Sequence, residues 1–498
     1  MLLLKAKNQQ NKLPYNKKII WFYIISLAFL GVNVLFIYNE NFYFSLVPFL
    51  LLIVLFAFFA LDKLILLILF LVPLSVPLHE FAPSLAFDMY MPTEPMIVGI
   101  MLIFILKLIL QKNYDTRVLK HPISIAIYIN LFWLLITSLT STMPIVSIKY
   151  SLVRIWFIST FYFMSIQLFR DYTNIRKYIW LYTIGIILVV FYTEYNHLSY
   201  GLLDQKSANY VCAPFYSDHT SYGAALAFLV PVLIGFVISK YYSSTSKLFV
   251  FIGTLIIVVG LVLSYTRAAW LSLVVALVVL VLVLFKIKFR TVFVVFISIL
   301  ILFFSFKTQL FIYLESNKQD SSSNFTHQIE SMTNIASDAS NLERINRWSS
   351  ALRMYDERPI FGFGPGTYMF NYAPYQMSYE KTIISTNAGD MGNAHSEYIG
   401  ALAESGTLGA LTYLLILITT LYTALTLYSK LKSKELRILV LSLTLGLITY
   451  YIHSFLNNFL DTDKISALFW GYTAAIIAIE LYHKEEIEKK ELEQNSKE

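Results

Sequence analysis

The stretch "GDMGNAHSEYIGALAESGTLGALTYLLIL" runs from Gly389 to Leu417. It opens as a polar loop and, from Ser396 onward, becomes an apolar run of the length that crosses a bilayer, about 17–25 residues. His395 stands where the one changes into the other. The same apolar pattern recurs along the 498 residues, of which 57% are hydrophobic and 14% charged, with a mean hydropathy of +0.63. Soluble domains average roughly 45–50% apolar and about 25% charged, so the chain reads as a polytopic membrane protein. Fourteen apolar runs begin near Ile19, Phe42, Leu64, Pro95, Pro122, Tyr150, Tyr178, Thr220, Leu248, Ala268, Thr291, Ser396, Leu436 and Ile465. None shows the alternation of about ten residues that marks an outer-membrane barrel strand. The expected fold is all-α, a bundle of about 12–14 transmembrane helices.

Lysines and arginines in short loops set orientation. With Lys5, Lys7, Lys12, Lys17 and Lys18 in the cytoplasm, every second loop should be basic. "KLILQKNYDTRVLKH", "RDYTNIRK", "KYYSSTSK", "KIKFR" and "SKLKSKELR" fulfil this, whereas the intervening "HEFAPSLAFDMYMPTE" has no Lys or Arg. The divisions that follow are a cytoplasmic N-terminus (1–18), helices one to eleven (19–306), an outer loop (307–395), helices twelve to fourteen (396–482) and a charged cytoplasmic tail (483–498). The first run lacks a small-residue cleavage site and reads as an anchor. The single Cys212 falls in an outer loop and forms no internal disulfide. The net charge of +7 belongs mostly to the cytoplasmic belt and requires no nucleic-acid partner.

The outer loop begins with polar "ESNKQDSSSNFTHQIESMTNIASDASN", a composition that favours mobility. In "LERINRWSSALRMYDERP", Ile345, Trp348, Leu352 and Tyr355 fall on one face at helical spacing, with Arg344 and Arg347 side by side next to it. Such a helix can lie at the membrane interface on Trp348 and Tyr355. Pro359 ends it, and "FGFGPGTY" follows as a turn.

On the expected topology Arg267, His219, His395 and His453 all reach the outer surface. Cations there are not explained by the positive-inside rule, and they ask for an anion. Each has a plainer reading. Arg267 can snorkel, Arg344 and Arg347 can be a solvated face, His219 and His453 can pack, and His395 can be interfacial with Ser396 or Asn393 as the helix cap. Glu404, about two turns into its span, needs a partner. It is expected either to pair with one of the arginines, which is favoured, or to hold helices together.

These residues lie in three motifs, "SYTRAAWLSL", "NRWSSALRMYDERPIFGFGPGTY" and "NAHSEYIGALAESGTLGALTYLL", that resemble the O-antigen ligase superfamily, which also holds O-antigen polymerases and bacterial O-linked oligosaccharyltransferases. The resemblance covers about Ser264 to Asp463. It implies a helical bundle of the GT-C type, a polyprenyl-diphosphate-linked glycan donor and a hydroxyl acceptor such as lipid A-core. It further implies an inverting transfer without cofactor or metal, in the bacterial inner membrane with the site facing the periplasm. By position, His395 matches the family histidine, Arg267 the arginine at the outer end of a span, and Arg344 or Arg347 the loop arginine. The chain departs in its fourteen candidate spans, where about twelve are usual, and in "AHSEY", where many members have His-Asn.

The chemistry agrees with that resemblance. Guanidinium groups meet phosphate oxygens bidentately, the start of the twelfth span offers backbone N–H groups to an anion, and a neutral imidazole accepts a proton near pH 7. The outer-facing histidines lack the close spacings of a zinc site. Two other classes fit less well. A transporter of lipid-linked saccharide should carry charges deep in its spans, where this chain shows only Glu404 and Lys107, and it often shows internal repeats, which are missing here. A scaffold needs no converging arginines and histidine.

The loop pattern has a direct test. With Cys212 replaced by Ser, a cysteine at Ser322 should react with a membrane-impermeant thiol reagent added to intact cells, and one at Lys434 should not. Labelling at Lys434 would reverse the orientation.

Overall fold

The computed structural model describes residues 15–39, 43–82, 88–110, 114–287, 298, 339–378 and 392–484. Among them, eleven helices are long and apolar enough to cross a membrane. They are α1 (Tyr15–Tyr38), α4 (Thr93–Leu110), α5 (Pro122–Leu139), α6 (Pro144–Leu168), α7 (Thr173–Leu198), α8 (His219–Ile238), α9 (Ser244–Leu263), α10 (Arg267–Leu284), α12 (Glu397–Lys430), α13 (Lys434–His453) and α14 (Asp463–His483). The runs expected near Phe42 and Leu64 are instead short helices, α2 (Val47–Phe59) and α3 (Leu61–Leu71), of 13 and 11 residues. The run near Thr291 and the first part of the outer loop lie outside the described residues.

The chain divides into two compact units at Leu64. In the first, Phe44 stacks on Phe29 and Phe36, and Ser45 donates to Asn33 Oδ1 at 2.9 Å. The second unit carries every candidate site residue. Its centre is built from α8, α13 and α14, the most buried of its helices, with α9 and α10 packed around α8 and α13, and α5 and α6 beside α12 and α14. A two-stranded ribbon pairs Val76 with Met91.

Helix ends are set locally. Asp218 Oδ1 accepts from Thr220 N and Ser221 N at 2.7 and 2.8 Å, starting α8. Ser396 Oγ accepts from Ile399 N at 3.3 Å, so it is the cap of α12. Proline stands first in α5 and α6, where its missing N–H costs nothing.

The outer segment contributes α11 (Ala339–Glu357). Glu343, Asn346, Arg347, Ser350, Ala351 and Met354 are buried, whereas Leu352 is 44% exposed and Ile345, Trp348 and Tyr355 are half-buried. The apolar stripe is turned outward because α11 packs against α12 through small residues and one charged pair, leaving its bulky side chains at the rim.

α12 is broken at Gly406, where φ is +68° and ψ is −169°. The break frees the carbonyls of Ala403 and Glu404, which accept from Phe363 N and Gly364 N at 3.0 and 2.8 Å. Thr407 N turns instead to Pro359 O at 2.9 Å. Only glycine adopts this conformation readily, and a Cβ there would fall 2.0 Å from Ile360 O. Residues 407–430 alone exceed the roughly 20 needed to span. Glu404 therefore belongs to the part of α12 before the crossing segment.

Gly406→Ala should detach the turn, with a loss of about 1–3 kcal/mol from backbone strain alone and more from the clash. Thermal unfolding of the purified protein in detergent measures it, and an unchanged midpoint would mean that the turn does not depend on the break.

Candidate active site

His395 lies two residues before α12 in a left-handed conformation, φ +48°. Non-glycine residues visit this region infrequently, asparagine and histidine among the commonest of them. Three contacts hold it there. Its N–H donates to Asn393 Oδ1 at 3.0 Å, its carbonyl accepts from Trp348 Nε1 at 3.3 Å, and the preceding Ala394 is packed in a small core. That core joins Ala351 and Met354 of α11, Phe363, Tyr368 and Tyr372 of the turn, and Ala403 of α12.

The two loop arginines diverge. Arg347 is buried, donating from Nε to Glu343 Oε1 at 2.7 Å, and its guanidinium carbon lies 3.9 Å from the centre of the Tyr372 ring. Gly392 passes so close to this guanidinium that a Cβ would come within 2.0 Å of Nη1. Arg344 is half-buried and donates from Nε to Leu456 O at 3.3 Å. The charges of both act on the His395 imidazole. Burial lowers the pKa of this imidazole first, and Arg344 and then Arg347 lower it further, to about 4. His395 is thus neutral at pH 7.

Arg344 also acts on His219 and His453, and Arg267 acts on His219. Arg267 is the first residue of α10, a helix end that disfavours a cation. Thr266 Oγ1 donates to His219 O at 2.7 Å, tying the starts of α8 and α10 together. At the end of α13, His453 is buried with Asn457 Nδ2 at 3.0 Å from its Nε2. An amide N–H donated to Nε2 places the ring hydrogen on Nδ1. Four of the expected residues, His395, Arg344, His219 and His453, are therefore gathered at one end of the bundle, with Arg267 at the His219 side and Arg347 behind His395.

Two expectations fail. Among the described residues Glu404 pairs with no arginine; its carboxylate accepts from Gly366 N and Tyr368 N, each at 3.0 Å, and thereby fastens the turn. The start of α12 offers less to an anion than expected, since Glu397 N already donates to Ser454 O at 2.9 Å and Ile399 N to Ser396 Oγ. Cys212 lies in the loop before α8, as expected, and is fully buried there.

Sequence reasoning missed Asp218 and Arg154. The Asp218 charge acts on His395, His219 and His453; "SDHT" before an apolar run does signal a helix cap, but not its nearness to His395. Arg154, buried in α6, donates to Tyr150 OH at 2.8 Å and faces Glu397 and Asp461. It adds a charge to the spans, which the sequence reading held to be almost wholly apolar. Among the described residues no three of His, Cys, Asp or Glu are grouped to hold a metal ion.

The fold is that of an all-α, multi-pass membrane protein with a histidine and arginines collected at one end. Residues 252–414, about a third of the chain, which include Arg267, Arg344, Arg347, His395 and Glu404, match the family model described as O-antigen ligase, so this segment is similar to the O-antigen ligases. No curated protein matches the chain.

The electrostatics make a measurable statement about His395. Its imidazole resonance should titrate near pH 4, well below the ordinary value of about 6.5, and Arg344→Gln should move the midpoint upward. Because the folded value is below the unfolded one, this group's contribution to stability is complete above about pH 6.5 and lost as the pH falls toward 4. A midpoint that stays put in Arg344→Gln would separate the two residues.

Proposed function

We propose that the protein is an inverting, metal-independent glycosyltransferase of the bacterial inner membrane, an O-antigen ligase that moves a glycan from a polyprenyl-diphosphate carrier to a hydroxyl of lipid A-core on the periplasmic side. The observation that carries this reading is the convergence of His395 and Arg344 with His219, His453 and Arg267 at one end of the bundle, the last reaching it through His219. Guanidinium groups gathered beside imidazoles suit the oxygens of a diphosphate, which they can meet bidentately.

In this mechanism Arg267 and Arg344 bind the diphosphate oxygens. The neutral His395 imidazole takes the acceptor hydroxyl proton as that oxygen attacks C1 from the face opposite the phosphate. The C1–O bond breaks with its electron pair going to the polyprenyl diphosphate, whose negative charge the arginines stabilise. Arg347, with Glu343 and Tyr372, positions the segment that carries His395. A base of pKa about 4 is weak, but a diphosphate neutralising the arginines raises it toward the working pH. Burial, the larger cause of the low value, persists in the complex, so the donor restores only the part that the arginines remove.

His395→Ala should lose about 10²–10⁴-fold in transfer while still binding the lipid-linked donor. Arg267→Lys should retain part of the activity and Arg267→Ala almost none, because lysine keeps the charge but not the planar fork. Purified protein, donor and lipid A-core measure all three, with a chelator leaving the rate unchanged. Wild-type-like transfer by His395→Ala, or metal-dependent recovery after chelation, would refute the assignment. Deleting the gene identifies the acceptor: loss of a ligase leaves long glycans on the carrier, loss of a polymerase leaves single repeats, and loss of a protein oligosaccharyltransferase spares the lipopolysaccharide.

A further inference from the structure

At the end of the bundle away from His395, where α7 and α9 begin and α8 ends, a cavity of about 420 Å³ lies between Arg176, Lys177, Trp180, Leu181, Tyr241 and Tyr242. Arg176 is only 5% exposed. Its guanidinium carbon lies 3.5 Å from the centre of the Tyr241 ring and 4.5 Å from that of Tyr172. Nη2 is held by Glu435 and by Tyr172 OH, but Nη1 has no partner among the described residues. A buried charged donor left unsatisfied is costly, about 1–3 kcal/mol or more. Beside it, Lys177 is exposed and spends one N–H on Asn174 Oδ1 at 3.0 Å, so two remain. Trp180 donates to Tyr242 OH at 3.0 Å, which fixes the aromatic wall.

The surroundings carry a strong positive charge. The segments 170–177, 240–247 and 430–437, which all meet at this end, hold nine Lys or Arg against Asp171 and Glu435. Next to the mouth the surface turns apolar, with Leu248 and Phe249 of α9 exposed. Further in, a Cβ at Gly253 of α9 would contact Ile187 and Trp180 of α7, so the groove between these helices closes there.

We infer that this cavity is a binding site for the headgroup of an anionic membrane phospholipid. The phosphate takes the two free donors of Lys177 with the buried Arg176 charge beside it, the glycerol and first methylenes lie against the rings of Trp180 and Tyr242, and the acyl chains follow the exposed side chains of α9. Basic pockets between membrane helices suit such headgroups. The site is independent of the reaction at the opposite end.

Delipidated full-length protein in detergent, titrated with phosphatidylglycerol or with phosphatidylcholine of the same chains and read by native mass spectrometry, tests this. Phosphatidylglycerol should bind at least about tenfold more tightly. Lys177→Gln should weaken it about fivefold, as one cation near a phosphate does, while Lys247→Gln, outside the cavity, should not. The double variant Arg176→Gln/Glu435→Gln removes a buried pair together and should weaken it further. Equal binding of the two lipids, or equal losses in Lys177→Gln and Lys247→Gln, would overturn the site. Displacement of the lipid by millimolar inorganic phosphate would make it a site for free phosphate, which also overturns the proposal.

Discussion

The break in α12 at Gly406 is the constraint on which the outer end of the protein depends. A continuous helix would keep the carbonyls of Ala403 and Glu404 for its own backbone. Broken, it hands them to Phe363 and Gly364, while Thr407 reaches across to Pro359. The Glu404 carboxylate adds two more bonds to the turn. Five hydrogen bonds thus weld a loop to a membrane helix, and the small core between them fixes Ala394 and the strained His395. His395 thus sits on a loop whose backbone is fastened on both sides, to Asn393 and to Trp348.

Charge placement follows from that frame. Once α11 is docked, Arg344 can act on three histidines drawn from α8, α13 and the segment before α12. Arg347 is buried with Glu343 as partner, which keeps the charge while limiting its cost. The outcome is a pocket in which burial first, and the two arginines second, favour the neutral form of His395. An anion near Arg344 would raise the His395 pKa by offsetting that charge.

Much of this was legible in the sequence. Apolar runs located the crossing helices, and the three motifs located His395, Arg267, Arg344 and Arg347. Ser396 and Asp218 are caps of the usual kind. What could not be read was tertiary. Periodicity finds an apolar face, but not which face turns inward; α11 buries Arg347 and Ala351 because α12 approaches closely on that side. A buried acid such as Glu404 announces a need for donors, yet composition does not reveal that they are backbone N–H groups from a turn some forty residues earlier. Hydropathy reads two full spans beginning near Phe42 and Leu64, but the helices are only Val47–Phe59 and Leu61–Leu71, with Asp62 and Lys63 in the first turn of the second.

The hydrogen bonds at Gly406 also define what can be exchanged between relatives. A chimaera that grafts only the outer loop, cutting where hydropathy marks the membrane border at Ser396, separates Phe363, Gly364, Gly366 and Tyr368 from the acceptors they were shaped to meet. The inheritable module runs instead from the start of α11 through Gly406. Whatever the loop contributes should therefore recombine as a cassette that includes nearly three turns of the following helix.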